Sequence, residues 1–321
     1  MAKKRRGAPD GEGLERLFGL LDEAPPGLHD IEPAASALPS GLPPELIELY
    51  SHCDGLRLFI DATEVVRATE VTMATPGRWR FAETDGDAIS IDQRGRIWRL
   101  DPSLDDDICE GTRLDRWLGG VLDATAMLYD GDGEFADAVF DEDGEVLPEV
   151  RERQLRCQLK RDPAAPGPRW RLAQALLEQG AQDDARNELE QVVADDPAFA
   201  WAWLDLARIS EKAGELANAV DETRMAAETA EAAQHSQAGY FWAQLARLGA
   251  RTGDEILRAQ AATKTSLVAP ELKEAQLAGV RESLEAGDAA SAKGLLELLR
   301  AVWPRDLQVL ELANRLEQGE N

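Results

Sequence analysis

Four positions in the second half of the chain could do recognition chemistry. Gln174, Arg208, Arg247 and Arg281 each stand six residues before a glycine, and Trp201 and Tyr240 stand thirteen before two of those glycines. Guanidinium groups hold carboxylates through paired hydrogen bonds, and aromatic rings stack on guanidinium planes or peptide bonds. Arrayed on one helix face, this set predicts a groove that takes an extended acidic peptide. Two other readings remain open. The arginines could pair with this chain's own glutamates, or the groove could hold the chain's own acidic first half.

A second candidate is acidic. Asp105, Asp106, Asp107, Glu110, Asp130, Asp132 and Glu134 lie in a stretch, 101–149, with 16 acids against only Arg113 and Arg116. Such a surface would steer a basic protein partner. The alternative is a solvated face that keeps the protein dissolved.

Other constellations fail on geometry. Asp130-Gly131-Asp132-Gly133-Glu134 suggests calcium, but an EF-hand loop needs glycine at its sixth place and glutamate at its twelfth, where Phe135 and Asp141 stand. Ser51-His52-Cys53-Asp54 lists a nucleophile, a base and an acid, yet consecutive helical residues point about 100° apart. His29, His52 and His235 have no metal-ligand spacing. Gly119-Gly120 lacks the lysine of a phosphate loop. No catalytic residue, metal or cofactor is therefore expected.

Composition bounds the setting. The chain has 321 residues, 61 acids against 35 bases and a formal charge of −26. That argues against nucleic acid, which demands net positive faces. No apolar run is long enough for a membrane span. Lys3-Lys4-Arg5-Arg6 is followed by no apolar stretch, so no secretory signal is expected. Cys53, Cys109 and Cys157 are odd in number and far apart, which fits a reducing cytoplasm.

The two halves differ in grammar. Residues 1–150 carry a net charge of −19 and residues 151–321 one of −7. A tail is expected over 1–13, an α+β domain over 14–150, a linker helix and proline-rich linker over 151–168, and helical repeats over 169–318. In the first half, Leu14–Leu21 has helical spacing, and Pro43-Pro44 suits a helix start. Alternation predicts strands at Leu56–Asp61 and Arg78–Phe81. Gln93-Arg94-Gly95 reads as a hairpin turn between Ala88–Asp92 and Arg96–Leu100. A helix with Thr112 as its cap carries Leu114, Trp117, Leu118 and Val121. Phe135–Phe140 and Glu145–Leu147 flank Asp143-Gly144 as a second hairpin. Helices on a mostly antiparallel sheet make an α+β domain. Trp117, Trp203 and Trp242 are expected in cores, whereas Trp79 and Trp98 could stack across the sheet or line a cleft.

Residues 12–147 resemble the SUKH superfamily, through Leu42-Pro43-Pro44-Glu45-Leu46 leading to Tyr50 and Asp54-Gly55-Leu56, then Gly86-Asp87 before the hairpin Ile89–Leu100, and the late helix at Leu114–Leu118. This α+β family includes yeast cell-wall-synthesis regulators and many bacterial immunity proteins. The resemblance implies a binding domain, and a basic toxin as one kind of partner.

The second half repeats. Gly180, Gly214, Gly253 and Gly287 are spaced by 34, 39 and 34 residues. Pro197, Glu231, Pro270 and Pro304 follow them by seventeen, and Ala185, Ala219, Arg258 and Ala292 by five. Leu172-Ala173, Leu206-Ala207, Leu245-Ala246 and Gly279-Val280 precede them. Each unit is a helical hairpin that buries its face only by stacking on neighbours. Residues 167–305 are similar to tetratricopeptide repeats: four units, with Leu307–Leu316 as a capping helix. The third departs at Arg258 and by five extra residues within 231–239, the fourth at Gly279. The clamp that some such repeats use for C-terminal carboxylates needs lysine and asparagine where Trp170, Gln174 and Leu204 stand. The sequence thus predicts a non-enzymatic, cytoplasmic bacterial adaptor or scaffold, with an immunity protein acting through the first domain as the alternative.

Overall fold

The structure is a computed structural model that describes residues 13–22, 27–34, 37–60, 62–104 and 106–318. The expected tail at 1–13 lies almost wholly outside the described residues. The chain divides into two compact units, residues 1–188 and 189–321.

The first unit is α+β. In chain order it holds α1 (Leu14–Asp22), β1 (His29–Ile31), α2 (Pro44–His52), β2 (Leu56–Leu58), β3 (Thr63–Val65), β4 (Thr72–Thr75), β5 (Arg78–Thr84), β6 (Asp87–Asp92), β7 (Ile97–Asp101), β8 (Asp106–Gly111), α3 (Leu114–Thr125), α4 (Pro148–Arg161) and α5 (Pro166–Glu178). The strands form one antiparallel sheet in the order β1-β2-β3-β5-β6-β7-β8, with β4 also paired to β5. Leu17, Leu46, Tyr50, Phe81, Ile89 and Leu118 fill the core. Pro44 opens α2 where a missing N–H costs nothing. Gly119 and Gly120 let α1 and α4 approach α3, since a Cβ on Gly120 would lie 3.3 Å from Gln158 Cα.

One turn recurs three times. In Asp92–Arg96, Asp130–Glu134 and Asp141–Glu145, the Oδ1 of the first aspartate accepts N–H groups two and four residues on. The glycine at the fourth place has φ of 78°, 85° and 83° respectively, the left-handed conformation that costs glycine least. Asp130-Gly131-Asp132-Gly133-Glu134 is thus a backbone turn.

Local expectations fail where tertiary contacts override them. The strand at Leu56 stops at Leu58, because Phe59 and Ile60 turn left-handed, with φ of 50° and 62°. Phe135–Phe140 is no strand; single bridges join Tyr129 to Phe135 and Phe140 to Val146, around a 3-10 turn at Asp137–Val139. Arg113, not Thr112, is the cap of α3. Trp79 packs on the core, while Trp98 has the guanidiniums of Arg78 and Arg96 over its ring, at 4.3 and 4.8 Å. They sit on β5 and β7, with β6 between, and cannot stack.

The proline-rich segment 162–168 also differs from a linker. Pro166 is the first residue of α5, and Pro166, Gly167 and Pro168 are buried. α5 packs on β8 and α4. A Cβ on Gly167 would meet the Cys109 carbonyl oxygen at 2.7 Å, so glycine is what permits the approach. Asp162, itself buried, accepts from Thr112 N at 2.6 Å and Thr112 Oγ1 at 2.8 Å, and faces Arg116 at 3.6 Å.

The second unit is all-α: α7 (Ala200–Ala213), α8 (Leu216–Ala232), α9 (Ala238–Thr252), α10 (Glu255–Val268), α11 (Leu272–Glu285), α12 (Ala289–Val302) and α13 (Leu307–Gln318), preceded by the last residues of α6 (Gln182–Asp195). The repeating glycines end their helices left-handed, at φ of 80° for Gly214, 74° for Gly253 and 75° for Gly287. The bulkier Arg258 is accommodated from the opposite helix. A Cβ on Gly249 would lie 2.7 Å from Arg258 N, so α9 and α10 meet backbone to backbone there. Gly249→Ala is expected to cost about 1–3 kcal/mol by chemical denaturation. Gly294→Ala, where nothing lies within 4 Å, should be neutral or stabilising.

The fourth hairpin is reversed. α12 packs on both α9 and α10, whereas α11 packs chiefly on α12 and α13. The second helix of this hairpin therefore stands beside α9, where the regular repeat would place the first.

Candidate functional site

The arginine face of the second unit is built by α7 and α9. Positions Asp205, Arg208 and Glu211 are three apart on α7, hence neighbours on one side. Arg208 donates to Asp205 Oδ1 at 2.8 Å and keeps 53% of its side chain exposed. Burial opposes the charge on Arg208, but Asp205 and Tyr240 outweigh it and raise its pKa. Arg247, on α9, forks onto Glu211: Nη1 to Oε1 at 2.7 Å and Nη2 to Oε2 at 2.6 Å. Its Nε donates to Gln244 Oε1 at 2.9 Å. Arg251, one turn on, also donates to Glu211 and remains 52% exposed. The hydrogen bond from Arg247 holds the Glu211 carboxyl below the usual range, against its burial.

Three guanidiniums thus share two carboxylates on a face of a strongly acidic chain. Arg251 was readable in the sequence as the i+4 neighbour of Arg247, and Glu211 as the i+3 neighbour of Arg208. Neither stands out by repeat spacing alone. Glu297 on α12 lies within electrostatic reach of Arg247. The reversed hairpin therefore brings a carboxylate near α9 where an arginine was expected.

The other expected groove residues fall elsewhere. Arg281 lies on α11, away from this pair, and donates to Gln308 Oε1 at 3.1 Å. Trp201 is buried under Phe241, with ring centroids 4.8 Å apart, and offers no free stacking plane. Tyr240 is half-buried at its edge, 6.1 Å from Trp201. Gln174 belongs to the first unit, in a crevice with Asp85, Arg99 and Arg171. Trp117 and Trp242 are buried as expected; Trp203 is only half-buried and donates to the Pro197 carbonyl at 3.1 Å. Glu231, at the place prolines hold in the other units, accepts from Trp242 Nε1 at 3.0 Å and from Lys264.

The acidic candidate breaks apart. Glu110 is buried and doubly hydrogen-bonded by Arg171, with Nη1 to Oε1 at 2.6 Å. Asp107 pairs with Arg78, and Asp106 is half-buried at the start of β8. Asp105 lies outside the described residues. Asp130, Asp132 and Glu134 are exposed, beside the twin turn at Asp141–Glu145. Among the described residues no group of His, Cys, Asp and Glu side chains could hold a metal, and no helix is long and apolar enough to cross a membrane.

No protein-family model matches the chain, and no curated protein matches it. Solved structures resemble part of it. The crystal structure of MamA is 18% identical, with a TM-score of 0.36, over 53% of this chain and 91% of that one. PilF of Pseudomonas aeruginosa is 15% identical, with a TM-score of 0.36, over 62% and 80%. YrrB, described as a TPR protein with an unusual peptide-binding site, is 12% identical, with a TM-score of 0.34, over 52% and 84%.

Proposed function

We propose that the protein is a non-enzymatic adaptor whose helical repeats hold an extended acidic segment of a protein partner. The observation that carries this reading is the face of Arg208, Arg247 and Arg251, three guanidiniums against Asp205 and Glu211, on a chain of net charge −26. Helix pairs of this kind expose a long side to a partner chain; the half-exposed Arg208 and Arg251 supply contacts to its carboxylates, while Arg247 holds Glu211 in place beside them. The pairs with Asp205 and Glu211 preset the guanidinium planes, which lowers the ordering cost on binding.

The test is fluorescence anisotropy with a labelled octaglutamate peptide and the full chain. The wild type is expected to bind, more weakly as salt rises. Replacing Arg208, Arg247 and Arg251 together with Glu should weaken binding at least 100-fold, while Arg281→Glu should leave it within about twofold. Equal binding by the triple variant would reject the face.

A second reading is favoured by the exposed twin turns at Asp130–Glu134 and Asp141–Glu145. In it the SUKH-like first unit neutralises a basic partner, as an immunity protein does a toxin. Changing Asp132, Glu134, Asp143 and Glu145 to the amides would then abolish protection of cells.

A further inference from the structure

The turn that follows β2 is held in a costly conformation. Phe59 and Ile60 are both left-handed, and a β-branched residue rarely adopts that region. Such backbone persists only where its surroundings over-determine it. Ile60 N donates to the Leu28 carbonyl at 3.1 Å, and Tyr129 OH donates to the Phe59 carbonyl at 3.3 Å. The remaining tie runs to a side chain: Phe59 N donates to His29 Nδ1 at 3.2 Å. His29 stands on β1 opposite Leu58, the residue before the turn. Its ring meets the Phe59 ring edge to face, with centroids 4.6 Å apart. Phe59 in turn stacks on Tyr129 at 5.2 Å, and Tyr129 on Phe135 at 4.8 Å.

A proton can switch off the tie to His29. Neutral imidazole with its proton on Nε2 has a lone pair on Nδ1; imidazolium carries N–H at both nitrogens. Protonated His29 would set Nδ1–H against Phe59 N–H, donor against donor. Its surroundings do not compensate that charge. The half-buried ring shares a pocket with Leu17 and Leu21 of α1, with Leu28, and with Leu122 of α3. Among the described residues, the other charged groups lining this pocket are Asp123 and Asp130. Both are engaged: Asp123 accepts from Arg161 of α4 at 2.6 Å, and Asp130 Oδ1 from the N–H groups of Asp132 and Glu134. Asp30, the next residue on β1, pairs with Arg57 of β2. Burial accordingly lowers the pKa of His29 from its ordinary value.

We propose that His29 is a pH-sensitive latch, whose protonation unties Phe59 N–H and releases the left-handed Phe59–Ile60 turn, ring included, from Tyr129. The sign follows from the turn's need for neutral imidazole. The latch is whole above about pH 6.5, the ordinary histidine value, and is lost as pH falls below it. Release returns the imidazolium to water and relieves both left-handed residues, so the same step removes a desolvated charge and backbone strain. The loosened stack ends at Phe135, which adjoins the exposed Asp130–Glu134 turn. Acidification therefore reaches that acidic surface through Tyr129.

The test is NMR of the full chain, labelled at the histidine nitrogens and isoleucine methyls, from about pH 7.5 to about pH 5. At the upper end His29 should be the neutral tautomer protonated at Nε2. On acidification the Ile60 methyl should shift with the same midpoint as the His29 ring, below about pH 6.5. Amide exchange at Phe59, corrected for the intrinsic effect of pH, should quicken about tenfold across that midpoint. His29→Asn offers an amide oxygen in the place of Nδ1 and does not titrate, so its Ile60 methyl should stay put over the range. Tyr129→Phe drops the hold on the Phe59 carbonyl but keeps the ring, and should move the wild-type midpoint upward. A proton on Nδ1 at about pH 7.5, an Ile60 methyl unmoved while His29 titrates, or the same Ile60 shift in folded His29→Asn would overturn the proposal.

Discussion

Replacing Arg171 with Met is expected to destabilise the N-terminal unit by about 3–5 kcal/mol, the cost of leaving a buried charge unpaired. Glu110 lies on β8 with its side chain 6% exposed, and Arg171, 28% exposed, reaches it from α5. Burial disfavours the Arg171 charge, but Glu110, Asp101 and Asp85 outweigh it and raise its pKa. Removing the cation strands the carboxylate away from water. Removing both should cost much less. Glu110→Leu combined with Arg171→Met, which replaces an ion pair by apolar groups of similar bulk, is expected within about 1 kcal/mol of the wild type. Urea denaturation of the full chain, followed by the first unit's tryptophans, measures both. An Arg171→Met variant as stable as the wild type would show that α5 does not belong to the first unit.

The second large effect is expected at Asp162. Its carboxylate accepts from the Thr112 N–H and hydroxyl and faces Arg116, all at a buried corner between the end of α4 and the start of α3. Asp162→Ala leaves two donors and a guanidinium unsatisfied, at roughly 3 kcal/mol. Asp162→Asn keeps the shape and one acceptor and should lose about half of that. A solvated hinge would tolerate both changes, so full stability of Asp162→Ala would contradict the buried joint. Pro163→Ala, at an exposed neighbouring position, is the control and should be near neutral.

These two sites show why 162–168 misled a reading of local pattern. Asp-Pro-Ala-Ala-Pro-Gly-Pro is what a loose connection looks like. Yet Pro166 starts a helix as well as it ends one, and Gly167 is there for a backbone approach to Cys109 that no local rule records. The glycine period, by contrast, was legible, because each glycine meets a local demand: a left-handed helix end. The sheet hairpin at Gly95 was legible for the same reason. Phe59 and Ile60 were not, because their turn is imposed by His29 and Tyr129, 30 and 70 residues away in sequence.

The arginines divide in the same way. Arg208 and Arg247 hold the same repeat position on α7 and α9. Whether each has a partner depended on Asp205 and Glu211, which spacing rules do expose once the α7 face is drawn. Arg281 failed for a topological reason: α12 rather than α11 packs on α9, and periodicity is blind to which helix of a hairpin faces its neighbour. Glu110 failed because composition counts charge and not burial.

The surface proposed to meet the partner is that of α7 and α9. Hydrogen–deuterium exchange of the full chain, with and without octaglutamate, reads that surface directly. Slower exchange confined to Ala200–Ala213 and Ala238–Thr252 is the expected result. Protection confined to the first unit, or to α11 and α13 with α7 and α9 unchanged, would contradict it.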